Sequence, residues 1–95
     1  MYAVAGTWHM DPEMRKEQGA ALQTIVAGVR QLPGFVRGFW SRDVDEPDLS
    51  LTYILFETLE QAEEFRRAVE ANAPAQAESG VGRTGLRIAE VEADA

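Results

Sequence analysis

An α+β domain of order β-α-β-β-α-β, built on a four-stranded antiparallel sheet, is predicted by three observations. Four segments carry β-branched and aromatic residues at strand length. Two others carry apolar residues at helical spacing. Charge is shared unequally among the four strands, which sorts them into central and edge positions.

Tyr2 to His9 reads as the first strand, with Tyr, Val, Thr and Trp and no formal charge. Asp11 then suits an N-cap, Pro12 the first helical position and Glu13 the positive end of the helix dipole. Met14, Leu22, Ile25, Val29 and Leu32 fall on one stripe of this helix, and Pro33-Gly34 ends it. Phe35 to Asp43 is the second strand, and the polar turn Asp43 to Asp48 makes a hairpin with the third, Leu49 to Glu57. Thr58 with Gln61 three residues on forms a capping box for the second helix. Leu59, Ala62, Phe65 and Val69 are its apolar stripe, and Glu63 with Arg67 is an i,i+4 pair. Asn72 to Gly85 reads as a long loop of small residues with room for a helical turn, a lid or an extended arm, before a fourth strand from Leu86 to Ala93.

The first and third strands are almost free of charge, whereas the second carries Arg37 and Arg42 and the fourth Arg87, Glu90 and Glu92. Charges belong on edges, where they block strand addition. With right-handed crossovers the spatial order becomes 4-1-3-2, a ferredoxin-like sheet with both helices on one face.

Composition narrows the function. Ninety-five residues make one domain, spanning 1–95, and 45% hydrophobic with 26% charged residues is an ordinary globular mixture. A net charge of −7 argues against nucleic acid and against anionic membranes as partners. With no cysteine there is neither disulfide nor thiol nucleophile. No apolar run approaches the ~20 residues of a membrane span, and the start lacks the positive region of a signal peptide, so a cytoplasmic location is expected.

Both faces of the sheet are apolar. On the third strand Leu49, Leu51, Tyr53 and Leu55 share one parity, and Ile54 and Phe56 the other; on the second, Phe35 and Phe39 oppose Val36 and Trp40. Two helices cover one face only, and a soluble monomer rarely exposes a patch of several hundred Å². A second copy packed face to face is the expected cover, which predicts a homodimer.

Leu32-Pro33-Gly34-Phe35, at the end of the first helix, and the run from Phe56 to Phe65, where the third strand enters the second helix, resemble the dimeric α/β-barrel superfamily and within it the antibiotic biosynthesis monooxygenase-like group. The resemblance covers nearly the whole chain and implies two sheets packed face to face. It spans cofactor-free quinone-forming monooxygenases, haem-degrading enzymes, isomerases and small proteins without known activity, so fold does not settle chemistry. The cofactor-free oxygenases of this kind carry an Asn and a Trp four residues apart on the third strand; the matching positions here are Thr52 and Phe56. The haem-degrading relatives supply a histidine near the second helix, and this chain has none from Leu59 to Asn72. No cofactor is expected.

His9 is the only histidine and the only side chain whose ordinary pKa suits proton transfer near neutrality. It ends a central strand, at the expected rim of a pocket between sheet and helices, and the small Ala3, Ala5 and Thr7 of its parity would leave room there for a ligand. His9 and Tyr53 are the candidate catalytic residues, the phenol donating to a substrate oxygen. Trp8, Trp40, Thr52 and Phe56 are the candidate substrate-binding residues, suited to a flat, hydrophobic or aromatic ligand. Arg37 and Arg42 read as guards of an edge strand. No His/Cys/Asp/Glu spacing suggests a metal. Three functions remain: a cofactor-independent oxygenase of a hydrophobic aromatic metabolite, a non-catalytic small-molecule-binding or stress-related dimer, and a dimer with a filled core.

Overall fold

The computed structural model describes all 95 residues. The strands are β1 (Tyr2–Met10), β2 (Phe35–Arg42), β3 (Leu49–Phe56) and β4 (Val81–Glu90), and the helices α1 (Arg15–Val29), α2 (Leu59–Ala71) and α3 (Ala73–Glu78). One antiparallel sheet has the order β2-β3-β1-β4. This is the predicted ferredoxin-like order read from the other edge, with the charge-free strands inside. No helix is long and apolar enough to cross a membrane.

Local chemistry explains the boundaries. The Asp11 carboxylate accepts from the Glu13 N–H at 2.9 Å and opens a 3-10 turn, Pro12–Met14, that leads into α1. Asp43 Oδ2 accepts from the N–H groups of Asp45 and Glu46 and closes the β2–β3 turn. Thr58 and Gln61 form the capping box of α2. Gly34 (φ +77°) takes a left-handed conformation after α1, and its carbonyl accepts from the Glu57 N–H at 2.9 Å.

Two expectations are corrected. The segment from Asn72 to Gly85 holds the helical turn, as α3, but is not a long loop: its second half is the start of β4, which runs from Val81 to Glu90 rather than from Leu86 to Ala93. The Gln76 side chain donates to the Val69 carbonyl, folding α3 back onto α2, and Gly80 (φ +71°) turns the chain into the strand. Glu63 and Arg67 do not pair; the one ion pair joins Arg15 and Asp48 at 3.3 Å.

The core lies between the sheet and α2. Val4, Ile54 and Phe56 from the sheet meet Val29 and Ala62 from the helices, and Phe35, Phe65 and Trp40 pack around them. A bulge between Phe35 and Arg37 in the β2–β3 register puts Phe35 on the same face as Trp40, although their parities differ. Its ring meets Phe56 edge-on at 6.3 Å, and Phe56 meets Phe65 at 5.2 Å.

Truncating this aromatic centre should be severe. Phe56, at 1% exposure, sits under α2; Phe56→Ala should cost about 3–5 kcal/mol in urea unfolding. Thr58→Ala removes one half of the capping box and should cost about 1 kcal/mol with no change of fold by circular dichroism.

Candidate functional site

α1 is held at its ends and not along its middle. At its N-terminal end Arg15 pairs with Asp48, beside β3, and Gln18 Nε2 donates to the carbonyls of Asp11 (2.9 Å) and Ser79 (3.1 Å), beside β4. At its C-terminal end Val29 enters the core. Between these ties Leu22 and Ile25 stay about 40% exposed. Beneath them opens a cavity of about 610 Å³, lined by Trp8, Trp40, Thr52, Ile54, Leu22, Ile25, Phe65 and Val69, with Arg15, Gln18, Arg42 and Ser50 supplying polar groups. That volume is within the range of small-molecule sites, whereas ordinary cores hold few voids larger than a water.

The floor is made by three side chains on neighbouring strands, Trp8, Thr52 and Trp40. Thr52 on β3 pairs with Gly6 on β1 and with Trp40 on β2. Trp8 Nε1 donates to Thr52 Oγ1 at 3.0 Å. The Thr52 oxygen thus accepts the indole proton and keeps its own proton to donate upward, into the cavity. The walls are apolar, and the lining includes no His, Asp or Glu.

Of the six residues predicted from sequence, the structure brings three together: Trp8, Trp40 and Thr52. Phe56 lies on the same face but deeper, fully buried in the core, and does not line the cavity. His9 and Tyr53 point to the other face. The row Ala3, Ala5, Thr7 and His9 does not run under the helices as expected; Val4 and Trp8 do. His9 is exposed beyond that cavity, and Tyr53 is 41% exposed on the helix-free face, beside Phe39 and Leu51. A shallower groove of about 290 Å³ runs over that face, lined by Ala5, Thr7, Phe39, Leu51, Tyr53 and Arg87 among others. Arg37 lies over the Phe39 ring at 4.9 Å, a cation–π contact that suits an edge guard.

Arg42, read as a second guard, instead lines the cavity, as do Arg15, Gln18 and Ser50. Arg15 and Gln18 were legible only as the first turn of a helix, where they lie three residues apart on one side. Nothing in the order of residues signals that this turn ties to chain segments beside β3 and β4.

The antibiotic biosynthesis monooxygenase model matches residues 1–77. No curated protein matches the chain. Among solved structures, a candidate antibiotic biosynthesis monooxygenase from Deinococcus radiodurans is 23% identical, with a TM-score of 0.75 over 100% of this chain and 94% of its own. SnoaB, a cofactor-independent oxygenase from Streptomyces nogalater, is 16% identical, with a TM-score of 0.72 over 98% of this chain and 94% of its own. A monooxygenase from the ActVA-Orf6 gene of Streptomyces coelicolor, in complex with Nanaomycin D, is 19% identical, with a TM-score of 0.63 over 99% of this chain and 89% of its own. At these identities the structures speak to the fold, and the family model to the lineage: with that match running from β1 into α3, the chain belongs to the antibiotic biosynthesis monooxygenase family.

Proposed function

We propose that this chain is a cytoplasmic, cofactor-independent oxygenase of a hydrophobic aromatic metabolite, working as a homodimer. The observation that carries the reading is the apolar cavity under α1 with Trp8, Thr52 and Trp40 on its floor. Its volume suits a compound of a few fused rings, and SnoaB, of similar fold, is a cofactor-independent oxygenase.

The chemistry asks little of the protein. A substrate with an acidic methylene between aromatic rings gives up a proton, and its anion passes one electron to dioxygen. The two radicals join in a C–O bond, and loss of water from the peroxide leaves a carbonyl. The methylene carbon is oxidised, and dioxygen ends as the carbonyl oxygen and water. Thr52, with its proton free, stabilises charge on the substrate oxygen, Arg42 adds positive charge, and the apolar side chains hold the ring system. The tricyclic ketone anthrone is a suitable probe. In air, the protein should speed its conversion to anthraquinone, followed by absorbance. Thr52→Val should lower the rate at least tenfold, or about 1.4 kcal/mol of transition-state stabilisation.

With no acid or base in the lining, the substrate ionises through water or its own acidity rather than through a side chain of the same cavity. His9→Ala and Tyr53→Phe should therefore each leave the rate within about threefold, or about 0.6 kcal/mol. A tenfold loss in either would return that residue to the catalytic role read from the sequence. The same lack of a base favours a second reading, a non-catalytic binder of the same compounds. That reading holds if anthraquinone binds and anthrone is not turned over.

The dimer rests on the helix-free face, where Phe39 is half exposed and Leu51 and Tyr53 are about 40% exposed side by side. A second sheet packed there would bury this row, as stable interfaces bury about 800 Å² per partner. Light scattering should give twice the 10.5 kDa chain mass. Leu51→Arg places a charge in the middle of that row and should weaken association by about 100-fold or more, the direction expected of an unpaired buried charge.

A further inference from the structure

The chain contains two tryptophans, and each follows a glycine by two residues: Gly6-Thr7-Trp8 on β1 and Gly38-Phe39-Trp40 on β2. Residues two apart on a strand share a face. A Cβ at Gly6 would lie 2.7 Å from Trp8 Nε1 and 2.7 Å from Thr52 Oγ1. A Cβ at Gly38 would lie 3.1 Å from Trp40 Cζ3, 3.2 Å from its Cη2 and 3.1 Å from Ile54 Cδ1. Each indole therefore lies back along its strand, over the bare backbone of its glycine. The two strands flank β3, so the folded rings sit on either side of Thr52.

From this geometry we infer that Gly6 and Gly38 are positioning residues that set the shape of the ligand, acting through Trp8 and Trp40. The inference rests on the cavity being the ligand site. Laid flat, the two indoles form a low, level floor; raised, either would project into the space below Leu22 and Ile25. The arrangement commits the site to planar, fused-ring compounds that stack parallel to the sheet, and it rejects puckered ring systems of equal length. The repeat also divides the labour. At Gly6 a methyl would break the hydrogen bond between Trp8 and Thr52. At Gly38 it would press on the outer ring of Trp40 and on the end of the Ile54 side chain, and the ring, on the edge strand, is the one with room to yield into the cavity.

Fluorescence tests this directly, because Trp8 and Trp40 are the only indoles in the chain. In the ligand-free protein, Gly38→Ala should shift tryptophan emission to longer wavelength, as Trp40 rises from the sheet, while the melting temperature moves by less than about 5 °C. The planar probe 1,8-dihydroxyanthraquinone should quench wild-type emission on binding and bind at least tenfold more weakly to Gly38→Ala. The puckered steroid cholate should bind wild type weakly and lose nothing in the variant. Trp40→Phe lacks the outer ring; in the Gly38→Ala/Trp40→Phe pair the methyl keeps only the flexible end of Ile54 as a close neighbour, and quinone binding should recover to that of Trp40→Phe alone.

Unchanged emission and unchanged quinone affinity in a folded Gly38→Ala would overturn the inference. So would a double variant no better than Gly38→Ala. If Gly38→Ala unfolds, Gly6→Ala is read by the same shift and the same tenfold loss, and their absence there also overturns it. Failure of the proposed function looks different: no planar compound then binds wild type at all, whereas the emission shift in the ligand-free protein still reports on the two rings.

Discussion

The site depends on how α1 is suspended. A helix laid on a sheet normally buries its apolar stripe along its whole length. Here Val29 alone enters the core, and the other end is held by polar ties: Arg15 to Asp48 at one side of the sheet, Gln18 to Asp11 and Ser79 at the other. Hydrogen bonds and a half-exposed ion pair contribute little stability each. Their value is in distance. They fix the N-terminal turn at a set height, so that Leu22 and Ile25 roof a space instead of filling it.

A sheet under such a roof must keep its own side chains low. The two Gly-x-Trp units do so with the largest side chains available, which supply aromatic surface without occupying height. Thr52 fits between them because the registers of β1 and β2 on β3 converge there. The bulge at Val36 is the adjustment that makes this convergence compatible with the core, since it lets Phe35 join Phe56 while Trp40 keeps its place beside Thr52. Core and site are thus two regions of one sheet face, the first packed by α2 and the second spanned by α1.

Much of the fold was legible because several local signals agreed. Caps at Asp11 and Thr58, the turn at Asp43 and the charge on the outer strands all pointed to the same topology, and all are present. The assignment of faces was not legible. Period-two alternation tells the faces apart only when one of them is polar, and here both are apolar. The small row Ala3, Ala5, Thr7 and His9 seemed the better floor for a cavity. In the fold the larger row, Val4 and Trp8, lies under the helices, with the row's antiparallel partners on β3 being Ile54, Thr52 and Ser50. A single choice of face therefore carried His9 and Tyr53 away from Trp8, Trp40 and Thr52. The Gly-x-Trp repeat was visible throughout, and its meaning came only with the register. The length of β4 was hidden for a different reason: Gly82 and Gly85 have poor strand propensity, and pairing with β1 overrides it.

The two apolar faces also bear on stability. Only eight residues are buried, and five of them form the central cluster. Folding must offset roughly 1–2 kcal/mol of backbone entropy per residue, so a cluster this small leaves a thin margin. A cavity beside the core widens the deficit, since its lining forgoes the contacts that a filled interior would make. Two remedies are built into the sheet. Covering Phe39, Leu51 and Tyr53 removes apolar surface from water on one side, and a planar ligand over Trp8 and Trp40 does the same on the other. Each ties the folded state to a partner through mass action. A sheet apolar on both sides thus leaves the chain with surface to gain from cover on each face, on one side under α1 and on the other over Phe39, Leu51 and Tyr53.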